Sequence, residues 1–529
     1  MESIKKLGRK LGFNRKRGEF ELLETESGAP GFFDGKKESK GKQQERSSPV
    51  DSSLETNLSR IKTDFYTDIN PDVVVRRFTM GGKLPAAAVF MNGMVKNEII
   101  NDFIIRESMN KPVPEQPPYS QYLINNVFSN CEMTTEQNWD KIKGHITDGL
   151  TVVFVEGEAI TMVADIRGYE HRSVEAPQNE KVVRGPQEGF NESLRTNITL
   201  LRRMIRREDF ICEIRQAGSG ENIKVAVAYL KGTANPALVQ EVKRRLAEVD
   251  TRMVVNTGIL EQLTEHHGLS PFPQVLSTER PDRAASHLMQ GYVAVLLEGS
   301  PFANIMPTTL FALMSSSEDI YLRQLPGSMV RFVRYMGAVI SVLLPAFFLS
   351  LVLFHQGMMS TETLSTVVAS RKMVFAPIGL ELLFLLAVFQ LIREAGLRVP
   401  GSIGQAIGII GGLILGQAAV TANLASSVML IVVALSGLGN FCIPDYSTQI
   451  SASYIRIALV LAAWMAGLLG VFCTSIALLA MMCGMKSYGV PFLAPVSPKT
   501  RSKRPAILRG PITMHAGSRD FINTTENAK

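Results

Sequence analysis

The sequence predicts an α/β N-terminal region of two subdomains followed by an all-α multi-pass membrane domain. The chain of 529 residues has a net charge of +7, is 46% hydrophobic and has a mean hydropathy of +0.10. That average fits neither an ordinary soluble enzyme nor a wholly embedded transporter. The long apolar runs all follow residue 300, while charge concentrates before it and in the C-terminal tail. Before residue 300 one device recurs, a short Val-rich run closed by glycine, which reads as a buried strand ending in a turn.

Residues 1–62 are rich in Lys, Arg, Glu, Ser, Gln and Gly and are expected to form a disordered basic arm, because clustered apolar side chains are too few to offset ordering. Its opening, MESIKKLGRKLGFNRKRGEF, either touches anionic lipid, at about 1 kcal/mol per basic residue near the surface, or is a solvated tail. No apolar stretch of signal-peptide length follows it, so the soluble half is expected to stay on the side where it is made.

Residues 63–180 and 181–300 are expected to form two related α/β subdomains. The glycine-ended runs are PAAAVFMNG, TVVFVEG, VAVAYLKG and YVAVLLEG, beginning at 85, 151, 224 and 292. In KGTANPALVQEVKRRLAEVD, Asn235 is placed as N-cap and Pro236 at the first helical position, with Leu238, Val239, Val242 and Leu246 on one face. MNGMVKNEIINDFII repeats that layout, Gly93 matching Gly232 and Ile99 and Ile100 matching Leu238 and Val239. A helix predicted within 184–209 carries Leu194, Ile198, Leu201 and Ile205 on one face and Arg195, Arg202, Arg203, Arg206 and Arg207 elsewhere. No aromatic or base-reading groups accompany it, so a solvated or subunit-contacting face is expected rather than nucleic-acid binding.

Nothing in the sequence assembles a catalytic site. Gly218-Ser219-Gly220 lacks the frame of a nucleophile elbow, no phosphate-binding loop is present, and the histidines are scattered apart from His266 and His267. Cys131, Cys212, Cys442, Cys473 and Cys483 show no paired spacing. No enzyme activity, cofactor or metal site is expected.

Residues 301–334 are expected to be an interfacial elbow, with a true span at 301–314 as the alternative. The membrane domain is placed at 335–485, with spans at about 335–354, 373–392, 405–435 and 457–482, and 486–529 as a basic cytoplasmic tail. A straight helix over 405–435 would be roughly 46 Å long against a bilayer core of about 30 Å, so it must tilt, extend or break, and Asn423 with Ser426 and Ser427 marks the break point. Arg323, Arg331, Arg334, Arg393, Arg398 and the basic residues after 485 fall on one side, with Arg371, Lys372 and Arg456 dissenting. Both termini are therefore expected to be cytoplasmic.

RGPQEGFNESLRTN, SPFPQVLSTERPD, EGSPFANIMPTTL, GQAIGIIGGLILGQAAV and MKSYGVPFLAPVSP resemble, in this order, the A subunit of GerA-family spore germinant receptors, across about residues 63–497. The resemblance implies a multi-pass protein of the spore inner membrane, with a transporter-like B subunit and a lipoprotein C subunit as partners. It further implies a homo-oligomer forming a germinant-gated monovalent cation channel; the alternatives are a substrate-carrying transporter or exporter component, or a scaffold subunit without its own pore. The chain departs from the family at Leu386 and Gln390, where acidic residues are frequent, and at Asn304, usually apolar.

Glu381 sits near the centre of the second expected span, where a charge costs on the order of 3 kcal/mol and must find a partner. It is either a functional acid or a paired structural glutamate. Gly404, Gly408, Gly412 and Gly416 form a small-residue stripe suited to close helix packing. Around that stripe, Gln405, Gln417, Thr421 and Asn423 are expected to line a pore and Ile407, Ile410 and Leu413 to gate it. The competing expectation is a buried packing helix within one subunit.

Overall fold

The computed structural model describes residues 49–114, 117–128, 132–168, 176–177, 179–218, 223–251, 254–265, 270–398, 412, 414, 416–499, 507–511 and 520–524. The four glycine-ended runs are strands, and each lies inside a sheet. Strands β1 (Val73–Met80), β2 (Leu84–Met91), β3 (Glu132–Glu136), β4 (Thr151–Val155) and β5 (Thr161–Asp165) make one five-stranded sheet, in the order β1-β2-β4-β5-β3. Strands β6 (Phe210–Ala217), β7 (Ile223–Leu230), β8 (Leu276–Thr278), β9 (Val293–Leu297) and β10 (Ala303–Met306) make a second, in the order β6-β7-β9-β10-β8. The two orders are the same, and all pairings are antiparallel. Ala87 and Val153 in the first sheet, and Ala226 and Val295 in the second, are fully enclosed. Burial of central strands on both faces explains why β2, β4, β7 and β9 read as continuous apolar runs.

The kinship extends to individual hydrogen bonds. Helix α1 (Leu54–Asp64) is capped by Ser53, while the Asn57 amide takes the Asp51 N–H at 3.1 Å and returns a bond to the Asp51 carbonyl at 2.6 Å. Helices α2 (Trp139–Thr147) and α3 (Leu194–Met204) follow. In α3, Ser193 caps, the Asn197 amide takes the Asn191 N–H at 2.8 Å, and it donates to the Asn191 carbonyl at 2.6 Å. Each helix entry is then tied to its own sheet, Gly157 N–H donating to the Ser52 carbonyl and Gly299 N–H to the Glu192 carbonyl.

Helix α1 corrects the expected arm: residues 49–64 are ordered, because Leu54, Leu58 and Ile61 recur at helical spacing and pack on the first sheet. Residues 1–48 lie outside the described ones. The arginine-rich α3 is also not simply solvated. Arg202 donates to Asp72 Oδ2 at 3.1 and 3.2 Å and to Asn70 Oδ1 at 3.0 Å, fastening the second unit to the first. Helices α4 (Pro236–Ala247), α5 (Thr257–Thr264) and α6 (Pro281–Leu288) complete the second unit. Asn235 caps α4 as the sequence indicates.

The interfacial elbow is a second correction. Residues 303–306 are β10, paired with β8 and β9, and the Asn304 amide donates to the Thr257 carbonyl at 3.1 Å. A segment so short and apolar, directly before longer apolar sequence, carries no local sign that it closes a sheet.

Helices α7 (Gln324–Phe354), α8 (Thr361–Arg371), α9 (Ile378–Arg398), α10 (described at 416–421), α11 (Ser427–Phe441) and α12 (Tyr446–Gly484) form the apolar bundle. Of these, α7 and α12 are long and apolar enough to cross a membrane. Two expected spans are in fact helical reversals. At Asn423, which adopts φ +55°, the chain turns back, so that a Cβ on Gly416 would lie 3.4 Å from the Leu430 side chain. Helix α12 breaks at Ala466 and Gly467, and a Cβ on Gly470 would run into the Ala462 carbonyl. Two residues eight apart on a straight helix are about 12 Å apart, so this contact requires a hairpin. Hence 405–435 turns at the break that Asn423, Ser426 and Ser427 mark in the sequence, while 457–482 contains a turn that uncharged Ala and Gly do not announce in a hydropathy scan. The second helix starts at Ile378, not 373.

Both ends of the α12 hairpin meet the second subdomain: Ser451 Oγ donates to the Pro271 carbonyl, and Ser270 Oγ lies 3.2 Å from Met485 Sδ. This end of the bundle is called proximal. The α12 turn meets Phe354 at the distal end of α7. The tail is a further correction, because residues 486–491 form a hairpin and Phe492, Ala494, Phe521 and Ile522 are buried in the second unit's core. Arg509 donates to the Ile320 carbonyl at 2.9 Å.

Candidate functional site

Glu381 lies in the first turn of α9, at the distal end, rather than in mid-span, and is 1% exposed. Its Oε2 accepts from Arg371 Nε at 3.0 Å, and its Oε1 accepts from Ser426 N–H at 2.6 Å and Ser426 Oγ at 2.8 Å. Arg371 also donates to the Ala376 carbonyl at 3.1 Å. Ser426 in turn caps α11 through Met429 N–H. One carboxylate thus joins the end of α8, the start of α9 and the turn between α10 and α11. Such charge-assisted bonds are roughly twice as strong as neutral ones, which suits a latch on a turn.

That turn ends the candidate pore helix. Gln417, Thr421 and Asn423 are exposed on the outside of the bundle, as is Gly412, where an added Cβ would meet nothing within 4 Å. Gly416 makes only ordinary contact with Leu430. Thr421 Oγ1 donates to the Gln417 carbonyl one turn earlier. Gln405, Ile407, Ile410, Leu413, Gly404 and Gly408 lie outside the described residues.

At the proximal end Asp319, 1% exposed, accepts from Arg331 Nε at 2.8 Å and from Arg334 at 2.9 and 3.1 Å. Arg334 also donates to the Met314 carbonyl at 2.9 Å. Burial alone would raise the Asp319 carboxyl, but the bonds and fields of Arg334 and Arg331 hold it below its ordinary range. This joint clamps the first bundle helix to the segment leaving β10.

Glu261, in α5, is largely enclosed and feels the charges of Glu265 and of Asp445 at the turn between α11 and α12. Burial, followed by the charges of Glu265 and Asp445, pushes Glu261 up to about 8. Its folded value lies above its ordinary one, so its protonated form stabilises the fold below about pH 4.5, and that contribution is lost as pH rises to about 8. Glu261→Gln is therefore expected to melt higher than the parent above pH 8, with the gap vanishing below about pH 4.5. Thermal unfolding across that range checks it; a gap independent of pH would contradict it.

Among the described residues no group of His, Cys, Asp and Glu could hold a metal ion. The model of the family described as Bacillus/Clostridium GerA spore germination protein matches residues 59–520. The chain belongs to the GerA family. It is 32% identical to the uncharacterized membrane protein YfkQ of Bacillus subtilis (strain 168), over 91% of this chain and 94% of that one. It is 31% identical to spore germination protein KA of the same strain, over 89% and 87%, and 32% identical to spore germination protein GerLA of Bacillus cereus, over 90% and 97%. A crystal structure of the N-terminal domain of the A subunit of the Bacillus megaterium spore germinant receptor GerK3 aligns with 49% of this chain and 96% of that one, at 27% identity and a TM-score of 0.39.

In this GerA chain, sequence reasoning found Glu381 but missed its partners. Arg371 stood out only as a positive charge on the wrong side of the orientation count, and that misfit was the available signal. Arg331 and Arg334 were likewise read as orientation charges, and Asp319 was not singled out.

Proposed function

We propose that this GerA chain is the A-type membrane subunit of a nutrient germinant receptor, and that copies of it surround a germinant-gated pore for monovalent cations lined by 404–423. The observation that carries the reading is the outward exposure of Gln417, Thr421 and Asn423 on α10 and its following turn. Polar side chains facing lipid are costly, so a neighbouring copy or an aqueous axis is the natural cover. Small residues at Gly412 and Gly416 permit a second helix to approach closely. The bundle interior, by contrast, holds buried Arg456 and has no Asp or Glu between Glu394 and Asp445, which suits no cation path inside one subunit.

In this reading α7, α9, α10, α11 and the two arms of α12 cross the membrane alternately, with the proximal end, the soluble half and both termini cytoplasmic. A transporter-like B subunit supplies germinant recognition and a lipoprotein C subunit completes the receptor. Ile407, Ile410 and Leu413 close the pore by dewetting. Ile410→Asn is expected to release potassium from liposomes holding the reconstituted receptor without germinant, at a rate about tenfold or more above the parent. Parent-like retention in that variant and in Ile407→Asn and Leu413→Asn would count against the pore.

A further inference from the structure

We propose that Arg393 and Arg456 form a binding site for one oxyanion, a phosphate or carboxylate group, inside the proximal half of the bundle. Of the other buried arginines, Arg202, Arg245, Arg280, Arg283 and Arg334 each have a carboxylate at salt-bridge distance, as do the partly buried Arg331 and Arg371, while Arg509 donates to the Ile320 carbonyl instead. Arg456 is 2% exposed and no ion pair involves it among the described residues. Its Nη1 donates to Ser436 Oγ at 3.0 Å and its Nη2 to Ser453 Oγ at 3.5 Å, while its Nε has no partner.

Arg393 faces the same interior, one turn beyond Phe389, which packs against Gly437 and Phe441 of α11. Its Nε and Nη1 are both enclosed without a partner, and its charge acts on Arg456. Asn440 Nδ2 and Gln390 Oε1 are enclosed and unpaired as well. Two guanidinium groups repel strongly where the dielectric is low, and an unpaired buried N–H is costly in addition. Glu394, the next residue along α9, is exposed, there is no Asp or Glu from 395 to 444, and Glu381 is committed to Arg371 and Ser426.

An oxyanion answers the unpaired donors and the clustered positive charge together. Its oxygens accept from the free N–H groups of both arginines and from the Asn440 amide, in the fork geometry that guanidinium groups favour. The depth admits two sources. Ser451 reaches the soluble half, so Arg456 lies roughly 7.5 Å further along the helix. A lipid phosphate or a free anion could each arrive at that level.

The test measures thermal unfolding of the purified full chain in nanodiscs, with inorganic phosphate exchanged for chloride at constant ionic strength. In phosphatidylcholine discs a saturable rise of about a few degrees with phosphate indicates a free anion. A rise only in discs containing phosphatidylglycerol indicates a headgroup. Either response must disappear in the Arg393→Met, Arg456→Met double variant, which is expected to fold because apolar replacement also removes the repulsion. An equal response in parent and variant, or none in the parent under either condition, overturns the proposal. Should the double variant fail to fold, Arg456→Lys keeps the charge but not Nε, and is expected to weaken the phosphate or headgroup midpoint about tenfold; an unchanged midpoint overturns it.

Discussion

Replacing Glu381 with alanine is expected to destabilise the bundle by about 3–5 kcal/mol, the usual cost of removing one partner from a buried ion pair. The loss is large because three things fail together. Arg371 is left without its countercharge, Ser426 N–H and Oγ lose their acceptor, and the turn that ends α10 is released. Glu381→Gln should cost less, since its amide oxygen still accepts from Ser426. Thermal unfolding of the detergent-purified chain separates the three proteins, in the order parent, Gln variant, Ala variant. If the latch holds the pore helix shut, the Gln variant, which keeps its fold, should also leak potassium before germinant is added. A Gln variant with parental stability and parental ion release would reduce Glu381 to a passive pair.

Asp319→Asn should have an effect of similar size, about 3–5 kcal/mol, because buried Arg334 and largely enclosed Arg331 would lose their shared countercharge. The asparagine keeps the shape of the aspartate, so the deficit isolates charge. Its pH dependence has a defined sign. The folded carboxyl lies below its ordinary 3.8, so the contribution is present above that value and is lost as pH falls through the lower folded one. The gap between parent and variant should therefore be full at neutral pH and narrow in acid. A gap that widens in acid would show that Asp319 does not act through its charge.

These two residues differ in how readily the sequence discloses them. Glu381 stands alone in apolar sequence and cannot be overlooked, whereas Asp319 sits in SSSEDIYLRQL, where an acid looks like surface. Its partners are 12 and 15 residues away on the next helix, a distance no local pattern connects. The strands divide in a similar way. β2, β4, β7 and β9 are buried on both faces and announce themselves, but β1, with Arg76 and Arg77 exposed, and β3, EMTTE, have the composition of half-exposed strands. Helix α1 was hidden by its charged face, although Leu54, Leu58 and Ile61 were visible at the right spacing.

The bundle was the hardest part to read. Charge is what marks the ends of apolar helices, and the turns at Asn423 and Gly467 contain none. Over 405–435 the length of the apolar run and the cluster of Asn423, Ser426 and Ser427 mark the break, and there the chain folds back on itself. In the proposed topology each reversal adds one crossing, and the two together leave both ends of the chain on the same side.

The central claim is that conduction runs along α10 between copies of this chain. Gln417→Cys, reconstituted with its receptor partners in liposomes, tests it through germinant-triggered cation flux before and after a positively charged thiol reagent. The parent protein, whose Cys473 and Cys483 are also exposed, serves as the control. The expected result is a block of flux in the Gln417→Cys receptor and none in the parent. Undiminished flux after verified labelling of that cysteine would contradict the account.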